Sequence, residues 1–365
     1  MNFIISGGGT GGHIFPAVAI AKELQTHYPK ASILFVGAAD RMEMEKVPAA
    51  GFPIVGLPIR GFNRSSLWKN LGLPFLLLKS LWMSFRLLRQ KKPVAVIGTG
   101  GFASGPLLWM AAKMGYPTLI HEQNYFAGLT NKLLGKTVDQ ICTPGSGLEA
   151  YFPPAKISIT GNPVRKDLTE TNTNKTDAAN FFQLKSDGFT VFITGGSLGA
   201  GSINKAIMDI KDQLLAADVQ IIWQCGKMGM TLTATLREKP VNGIWVDAFI
   251  QDMAKAYALA DVVVCRAGAI TLSELSLQKK AAILVPSPNV AEDHQTQNAL
   301  KLQKADAAIL LAEKEISNLL KNILELKENP EKRAKLEGHI AEMATPQATE
   351  KIVECVKSIM NKSKK

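Results

Sequence analysis

Phe3-Ile4-Ile5-Ser6-Gly7-Gly8-Gly9-Thr10-Gly11-Gly12-His13 runs from an apolar stretch into a glycine loop, and Val191-Phe192-Ile193-Thr194-Gly195-Gly196-Ser197-Leu198-Gly199-Ala200-Gly201 repeats the pattern in the second half of the chain. Each reads as a strand, a glycine loop and the start of a helix, the opening of a parallel α/β domain. Its occurrence twice predicts an α/β protein of two Rossmann-like domains with parallel sheets facing an inter-domain cleft. Ligands of such sheets sit beyond the carboxyl ends of the strands, so the cleft is the expected site. The length of 365 residues agrees, because a domain commonly holds about 100–200 residues.

Outward from the two loops, short β-branched runs alternate with helical stretches. In the first half they predict strands at Phe3–Ile5, Ile33–Val36, Ile54–Leu57, Val94–Ile97, Thr118–Ile120 and Gln140–Cys142. In the second half they predict Val191–Thr194, Val219–Trp223, Ile244–Val246, Val262–Cys265, Ala282–Val285 and Ala308–Leu311. Arg165 to Asn180, rich in Thr, Asn, Lys and Asp, reads as a surface linker.

Charge is unevenly placed. Residues 1–160 carry 16 Lys+Arg and 7 Asp+Glu, or +9 of the net +11. No acidic residue lies between Glu45 and Glu122, where Arg60, Arg64, Lys69, Lys79, Arg86, Arg89, Lys91, Lys92 and Lys113 occur. Such a surface attracts anionic partners. The segment Leu67–Lys92 interleaves Trp68, Phe75, Leu78, Trp82 and Phe85 with Lys79, Arg86 and Arg89, and Pro74 is suited to a first helical turn. It reads either as an interfacial membrane surface or as a core helix with a solvated basic face. The N-terminus has neither the basic region nor the cleavage site of a signal peptide. With no apolar run near the ~20 residues that span a bilayer, a soluble or peripheral protein is expected. Cys142, Cys225, Cys265 and Cys355 are scattered, as suits buried, reduced thiols rather than a zinc site.

Several segments have chemical readings with plainer alternatives beside them. Gly7, Gly9 and Gly12 satisfy G-x-G-x-x-G, a weak motif by itself. The acid that a dinucleotide site would place after the second strand is absent, since Val36 leads to Gly37-Ala38-Ala39. His13 at the helix start reads as a general base or as a structural, capping histidine. Ser197 and the backbone around it suit a diphosphate. Arg165, in Gly161-Asn162-Pro163-Val164-Arg165, either adds a charged contact to it or is simply solvated. Glu274, one turn into the helix opened by Ala267-Gly268-Ala269, suits a ribose or merely stabilises the helix.

In order along nearly the whole chain, Gly8–His13, Ala39-Asp40-Arg41-Met42-Glu43, His121-Glu122-Gln123-Asn124, Gly161–Arg165, Gly195-Gly196-Ser197, Asp261–Glu274 and Glu292–Ala299 resemble the MurG family. These are the undecaprenyl-diphospho-muramoylpentapeptide β-N-acetylglucosaminyltransferases of glycosyltransferase family 28. The resemblance implies a GT-B fold with an acceptor- and membrane-binding domain at 1–163 and a UDP-GlcNAc-binding domain at 164–345. A C-terminal helix, 346–365, would pack back on the first domain. It implies inverting transfer of GlcNAc from UDP-GlcNAc to the C4 hydroxyl of MurNAc in lipid I, giving lipid II and UDP for peptidoglycan synthesis. Donor contacts would come from the Ile250 backbone, Glu274, Ser197, Arg165 and the helix start Ala269, Ile270, Thr271, Leu272 and Ser273. Asn124 and Gln295 would meet the sugar. Thr10, Gly11 and Gly12 would face the donor sugar and acceptor diphosphate, with His13 as candidate base. Leu198 stands where the family often has Gln.

No Asp-x-Asp motif occurs, so no metal and no cofactor are expected. An anionic membrane surface at the cytoplasmic face of the bacterial inner membrane is an expected partner, as are other cell-wall synthesis proteins. Nucleic acid is not expected, because the basic face is leucine-rich. The alternatives are another GT-B enzyme with a different lipid acceptor, a nicotinamide oxidoreductase and a non-catalytic membrane scaffold.

Overall fold

The computed structural model describes residues 1–61, 67–165, 167–170, 173–196, 198–290 and 293–362. The chain divides into two compact units, Met1–Val164 with Gln347–Lys365, and Arg165–Pro346. Both boundaries lie one residue beyond the expected 163/164 and 345/346.

The first unit runs β1 (Asn2–Gly7), α1 (Gly11–His27), β2 (Ser32–Ala38), α2 (Glu43–Ala49), β3 (Ile54–Leu57), α3 (Leu73–Lys91), β4 (Ala95–Gly100), α4 (Ser104–Lys113), β5 (Thr118–His121), α5 (Leu129–Gly135), β6 (Gln140–Thr143) and β7 (Ile157–Ile159). The second runs α6 (Asp167–Glu170), α7 (Lys175–Phe182), β8 (Phe189–Thr194), α8 (Gly201–Ala216), β9 (Val219–Gln224), α9 (Gly226–Gly229), α10 (Ala234–Glu238), β10 (Ile244–Asp247), α11 (Met253–Leu259), β11 (Val262–Cys265), α12 (Ala269–Leu277), β12 (Ala281–Leu284), α13 (His294–Lys304), β13 (Ile309–Leu310), α14 (Leu319–Glu328) and α15 (Pro330–Glu342). Helix α16 (Ala348–Lys362) returns to the first unit.

The first sheet has the order β3-β2-β1-β4-β5-β6-β7 and the second β10-β9-β8-β11-β12-β13, with all pairs parallel. Strand order therefore reverses between β1 and β4, and between β8 and β11. These are the points where a parallel sheet opens a crevice at its carboxyl edge. Both glycine loops leave from them.

Strand residues alternate between two buried faces. Phe3, Ile5, Phe35, Ile97 and Cys142 pack toward α1 and α16, while Ile4, Val36, Val96, Ile120 and Ile141 pack toward α4 and α5. A sheet covered on both faces accounts for the apolar runs in its strands. Helix α16 contributes Ile352, Val353, Val356, Ile359 and Met360 to the first of these cores. Three of the four cysteines are buried; Cys355 on α16 is half-buried and shares a hydrogen bond with Cys142.

Three expectations change. The run Ile157–Ile159 forms β7, an edge strand too short to stand out after Pro153-Pro154. The expected linker at Arg165–Asn180 contains α6 and α7. Asn174 caps α7 by accepting from the Asp177 N–H, and Ala178, Ala179 and Phe182 are buried, so polar composition concealed an amphipathic helix. The last strand contracts to Ile309–Leu310.

Helix α3 buries small residues and exposes large ones. Its buried positions are Ser80, Ser84 and Leu88, one line at i, i+4, i+8, and it packs on α4. The small serines let the helices approach. Trp68 is 82% exposed, Phe75 76%, Leu78 64% and Trp82 56%. The large apolar residues thus face outward, the reverse of an ordinary core helix.

His121, at the carboxyl end of β5, is fully buried. Its Nε2–H donates to the Gly161 carbonyl at 3.1 Å, and Nδ1 accepts from the Gln123 amide at 3.0 Å. Burial lowers its pKa from 6.5 to about 4.

Two stability measurements follow from this packing. Ser84→Leu overpacks the α3–α4 contact and should cost about 1–3 kcal/mol in chemical denaturation, whereas Phe75→Ser should stay within about 0.5 kcal/mol. The unfolded chain protonates its histidine below about pH 6.5, while folded His121 stays neutral until about pH 4. Stability is thus lost as pH falls through that window, by about 2 kcal/mol between pH 7 and pH 5. His121→Asn should remove that part of the slope; an unchanged slope would contradict the assignment.

Candidate functional site

In the first unit the site is built around the loop after β1. Helix α1 begins at Gly11, with extended Thr10 before it and no side-chain cap; the His13 and Ile14 N–H groups already donate to the Thr10 carbonyl at 3.1 and 3.2 Å. His13 is half-buried. Its Nδ1 lies 2.9 Å from the Gly8 carbonyl and 3.4 Å from Thr10 Oγ1. A carbonyl only accepts, so Nδ1 carries the hydrogen and Nε2 keeps its lone pair. His13 is therefore fixed on the loop rather than capping the helix. The loop after β4 supports it: a Cβ at Gly100 (φ +104°) would lie 2.8 Å from His13 Cδ2, and one at Gly101 (φ +91°) 2.4 Å from the Gly8 oxygen. Thr99 Oγ1 donates to the His13 carbonyl at 2.8 Å.

The acid missing after β2 is present five residues further on. Glu43, at the start of α2, is 1% exposed. Its carboxylate accepts from Gly9 N and from Ala38 N, each at 2.9 Å. It faces the protein's own backbone, where the dinucleotide pattern would aim an acid at a ribose. Sequence reading placed Glu43 in a motif but gave it no role.

Asn124 lies in a turn organised by buried Glu122. Oε1 of Glu122 accepts from Gln123 N and Asn124 N at 3.0 Å and from Asn124 Nδ2 at 3.3 Å, and Oε2 from Gly128 N at 3.0 Å and Asn131 Nδ2 at 2.9 Å. Five donors on one carboxylate hold the Asn124 turn in place. Glu122 stood in the His121–Asn124 motif without a role, and Asn131, nine residues on, belonged to no motif.

In the second unit, Arg165 and Glu274 come together. Arg165 Nε lies 3.4 Å from Glu274 Oε1, and the Tyr257 hydroxyl donates to Oε2 at 3.1 Å. Burial and the nearby Glu274 carboxylate push the Tyr257 phenol well above its ordinary pKa, so it stays a neutral donor. Arg165 is thus paired with a carboxylate rather than simply solvated. Helix α12 starts after Gly268, which supplies no side-chain cap, so the N–H groups of Ala269, Ile270 and Thr271 form a positive helix end. Leu272 is buried and Ser273 half-buried further along the same helix.

Arg266 fixes the approach to that helix. Its Nη1 donates to the Val285 and Pro286 carbonyls at 3.1 Å, and Nη2 to Ser202 Oγ at 3.1 Å. Asn298 Nδ2 donates to the Ala267 carbonyl at 3.2 Å. In the loop after β8, Gly196 has φ +80° with open space around it, while Gly199 is pressed on the Cys225 carbonyl. The Gly196 N–H donates to Thr194 Oγ1 at 3.1 Å. Ser197 lies outside the described residues, and Leu198 is exposed.

Ile250 needs a finer statement than its sequence reading. Its N–H already donates to Gln224 Oε1 at 3.0 Å. Gln295 Oε1 accepts from Ser287 N at 2.8 Å, which ties α13 to the segment after β12. Among the described residues no group of three His, Cys, Asp or Glu is placed to hold a metal ion.

Residues 3–143 match the glycosyltransferase family 28 N-terminal domain, and residues 190–357 the family's C-terminal domain. The chain is 48% identical over 362 residues to the UDP-N-acetylglucosamine--N-acetylmuramyl-(pentapeptide) pyrophosphoryl-undecaprenol N-acetylglucosamine transferase of Parabacteroides distasonis, covering 98% of each. The transferase of the same name from Flavobacterium psychrophilum is 46% identical over 366 residues, covering 99% of this chain and 98% of that one. The crystal structure of Acinetobacter baumannii MurG matches with a TM-score of 0.79 at 30% identity, over 98% of this chain and 99% of that one. A calicheamicin glycosyltransferase, 12% identical with a TM-score of 0.73, shares the fold alone. Each family domain carries one of the two glycine loops, each at the reversal point of its own sheet, and the chain is a two-domain, GT-B-type enzyme that belongs to glycosyltransferase family 28.

Proposed function

We infer that this enzyme moves GlcNAc from UDP-GlcNAc to the C4 hydroxyl of MurNAc in undecaprenyl-pyrophosphoryl-MurNAc-pentapeptide, with inversion, in peptidoglycan synthesis. The observation that carries this reading is identity of nearly half the residues over 98% of both chains to a transferase named for that donor and acceptor.

The chemistry divides between the units. His13 Nε2 takes the proton of the acceptor C4 hydroxyl, and the oxygen attacks the anomeric carbon opposite UDP. The bond from that carbon to the diphosphate oxygen breaks, and a single displacement inverts the centre. Negative charge develops on departing UDP, where Arg165 and the α12 start at Ala269–Ser273 supply positive potential. These groups suit a leaving group stabilised without a metal or other cofactor. Glu274, held by Tyr257, receives the ribose hydroxyls, the Ile250 backbone meets the uracil through its carbonyl, and Ser197 completes the phosphate loop. Gln295 and Asn124 contact the sugar, and Thr10, Gly11 and Gly12 face the acceptor diphosphate.

The outward face of α3 suits a lipid-linked acceptor. Phe75, Leu78 and Trp82 are exposed there together with Lys79, Arg86 and Arg89, and Trp68 is exposed in the turn just before the helix. The Arg86 guanidinium rides 4.8 Å over the Trp82 ring, and that of Arg89 5.6 Å over Phe85. Rings enter the acyl boundary while the cations meet lipid phosphates. No helix among the described residues is long and apolar enough to cross a membrane. The reading is peripheral attachment to the cytoplasmic face of the inner membrane, where other cell-wall synthesis proteins are further partners.

Transfer of labelled GlcNAc to a lipid I analogue tests the reaction. His13→Ala should lower kcat about 100-fold or more with donor binding retained, and Glu274→Ala should raise the KM for UDP-GlcNAc about 10- to 100-fold. Donor binding without transfer would point to another lipid acceptor. Phe75→Ser should weaken binding to phosphatidylglycerol vesicles about tenfold with solution donor binding unchanged; equal vesicle binding would reject the α3 surface.

A further inference from the structure

One peptide group links a buried carboxylate to His13. The N–H of the Gly8–Gly9 peptide donates to Glu43 Oε2 at 2.9 Å, and the C=O of the same peptide accepts from His13 Nδ1 at 2.9 Å. A trans peptide presents these two groups on opposite edges of one plane, so Glu43 and His13 flank it. Glu43 Oε1 is anchored in turn by Ala38 N at 2.9 Å. The glycines follow from this arrangement. A Cβ at Gly8 would lie 2.1 Å from Glu43 Oε1, and one at Gly37 2.5 Å from Glu43 Cγ.

We propose that Glu43 is a positioning residue that acts on His13 through the Gly8–Gly9 peptide. Donation of the N–H to a carboxylate polarises the peptide and strengthens its carbonyl as an acceptor. The stronger carbonyl holds hydrogen on Nδ1, keeps the Nε2 lone pair available and steadies the cation formed when Nε2 takes a proton. An orienting carboxylate commonly bonds the imidazole directly; here the contact passes through backbone. Its catalytic consequence rests on the reading of His13 as the base, whereas its effect on the tautomer does not.

The test combines imidazole NMR of histidine-labelled protein with kinetics, the His13 signal among the 5 histidines being assigned with His13→Ala. In the wild type, neutral His13 should carry hydrogen on Nδ1. Glu43→Gln keeps the size but loses the charge and one of the two acceptors; it should yield a tautomer mixture and a kcat lowered roughly tenfold, with the KM for UDP-GlcNAc unchanged. In a His13→Ala background Glu43→Gln should cause no further loss of kcat. Hydrogen on Nε2 in wild-type His13 would overturn the proposal even if Glu43→Gln does not fold. So would an unchanged tautomer in Glu43→Gln, or a full additional loss in the double variant. A His13→Ala enzyme of normal kcat would instead reject His13 as the base while the tautomer result stands separately.

Discussion

The peptide between Gly8 and Gly9 is held on both edges, and much of the first unit is arranged around that fact. Glu43 reaches it from the start of α2 and His13 from the first turn of α1. Glycine at 8 and 37 gives the carboxylate room, and glycine at 100 and 101 gives room to the ring and the carbonyl. Four glycines at the carboxyl ends of three strands thus answer to one buried anion and one imidazole. The carboxylate occupies the loop from within. A second anion at Gly9 would meet a charge already in place.

The second glycine loop resembles the first in sequence and differs in physics. Gly196 opens onto free space, and Gly199 serves the packing of the loop on Cys225. Its acid, Glu274, arrives from α12 and is held by Tyr257 and Arg165 without filling the loop. A repeated strand-loop-helix has been turned to two tasks. In the first copy the loop holds His13 and Glu43; in the second unit Arg165 and the α12 start lie apart from the repeated motif, and in the proposed reaction they serve the leaving diphosphate. Outside these loops the first unit is set apart by α3, where serines line the buried side and aromatics the exposed one.

Much of this was legible in the residues. The β-branched runs located twelve strands because parallel strands buried on both faces are continuously apolar; Ile157–Ile159 escaped because three residues at a sheet edge carry little pattern. The stretch 165–180 misled because Thr, Asn and Lys were read for polarity, whereas Asn174 was a cap and Ala178 and Ala179 were buried. His13, Arg165 and Glu274 were nameable from loop and helix position. The pairing of Arg165 with Glu274 was not, nor the roles of Glu43, Glu122, Tyr257 and Gln224, because each acts on a backbone or side chain that only the fold brings near. Ile250 is the sharpest case: its N–H, free in any sequence reading, is already bonded to Gln224.

The proposed reaction needs nucleotide at the second glycine loop, with Glu43 occupying the first. Amide mapping of isotope-labelled protein titrated with UDP tests this most directly. Shifts are expected at Gly195–Gly196, Ile250 and Ala269–Glu274, with the Gly9 amide left on Glu43. Dominant shifts at Gly8, Gly9 and Ala38, with the second-unit residues silent, would contradict it.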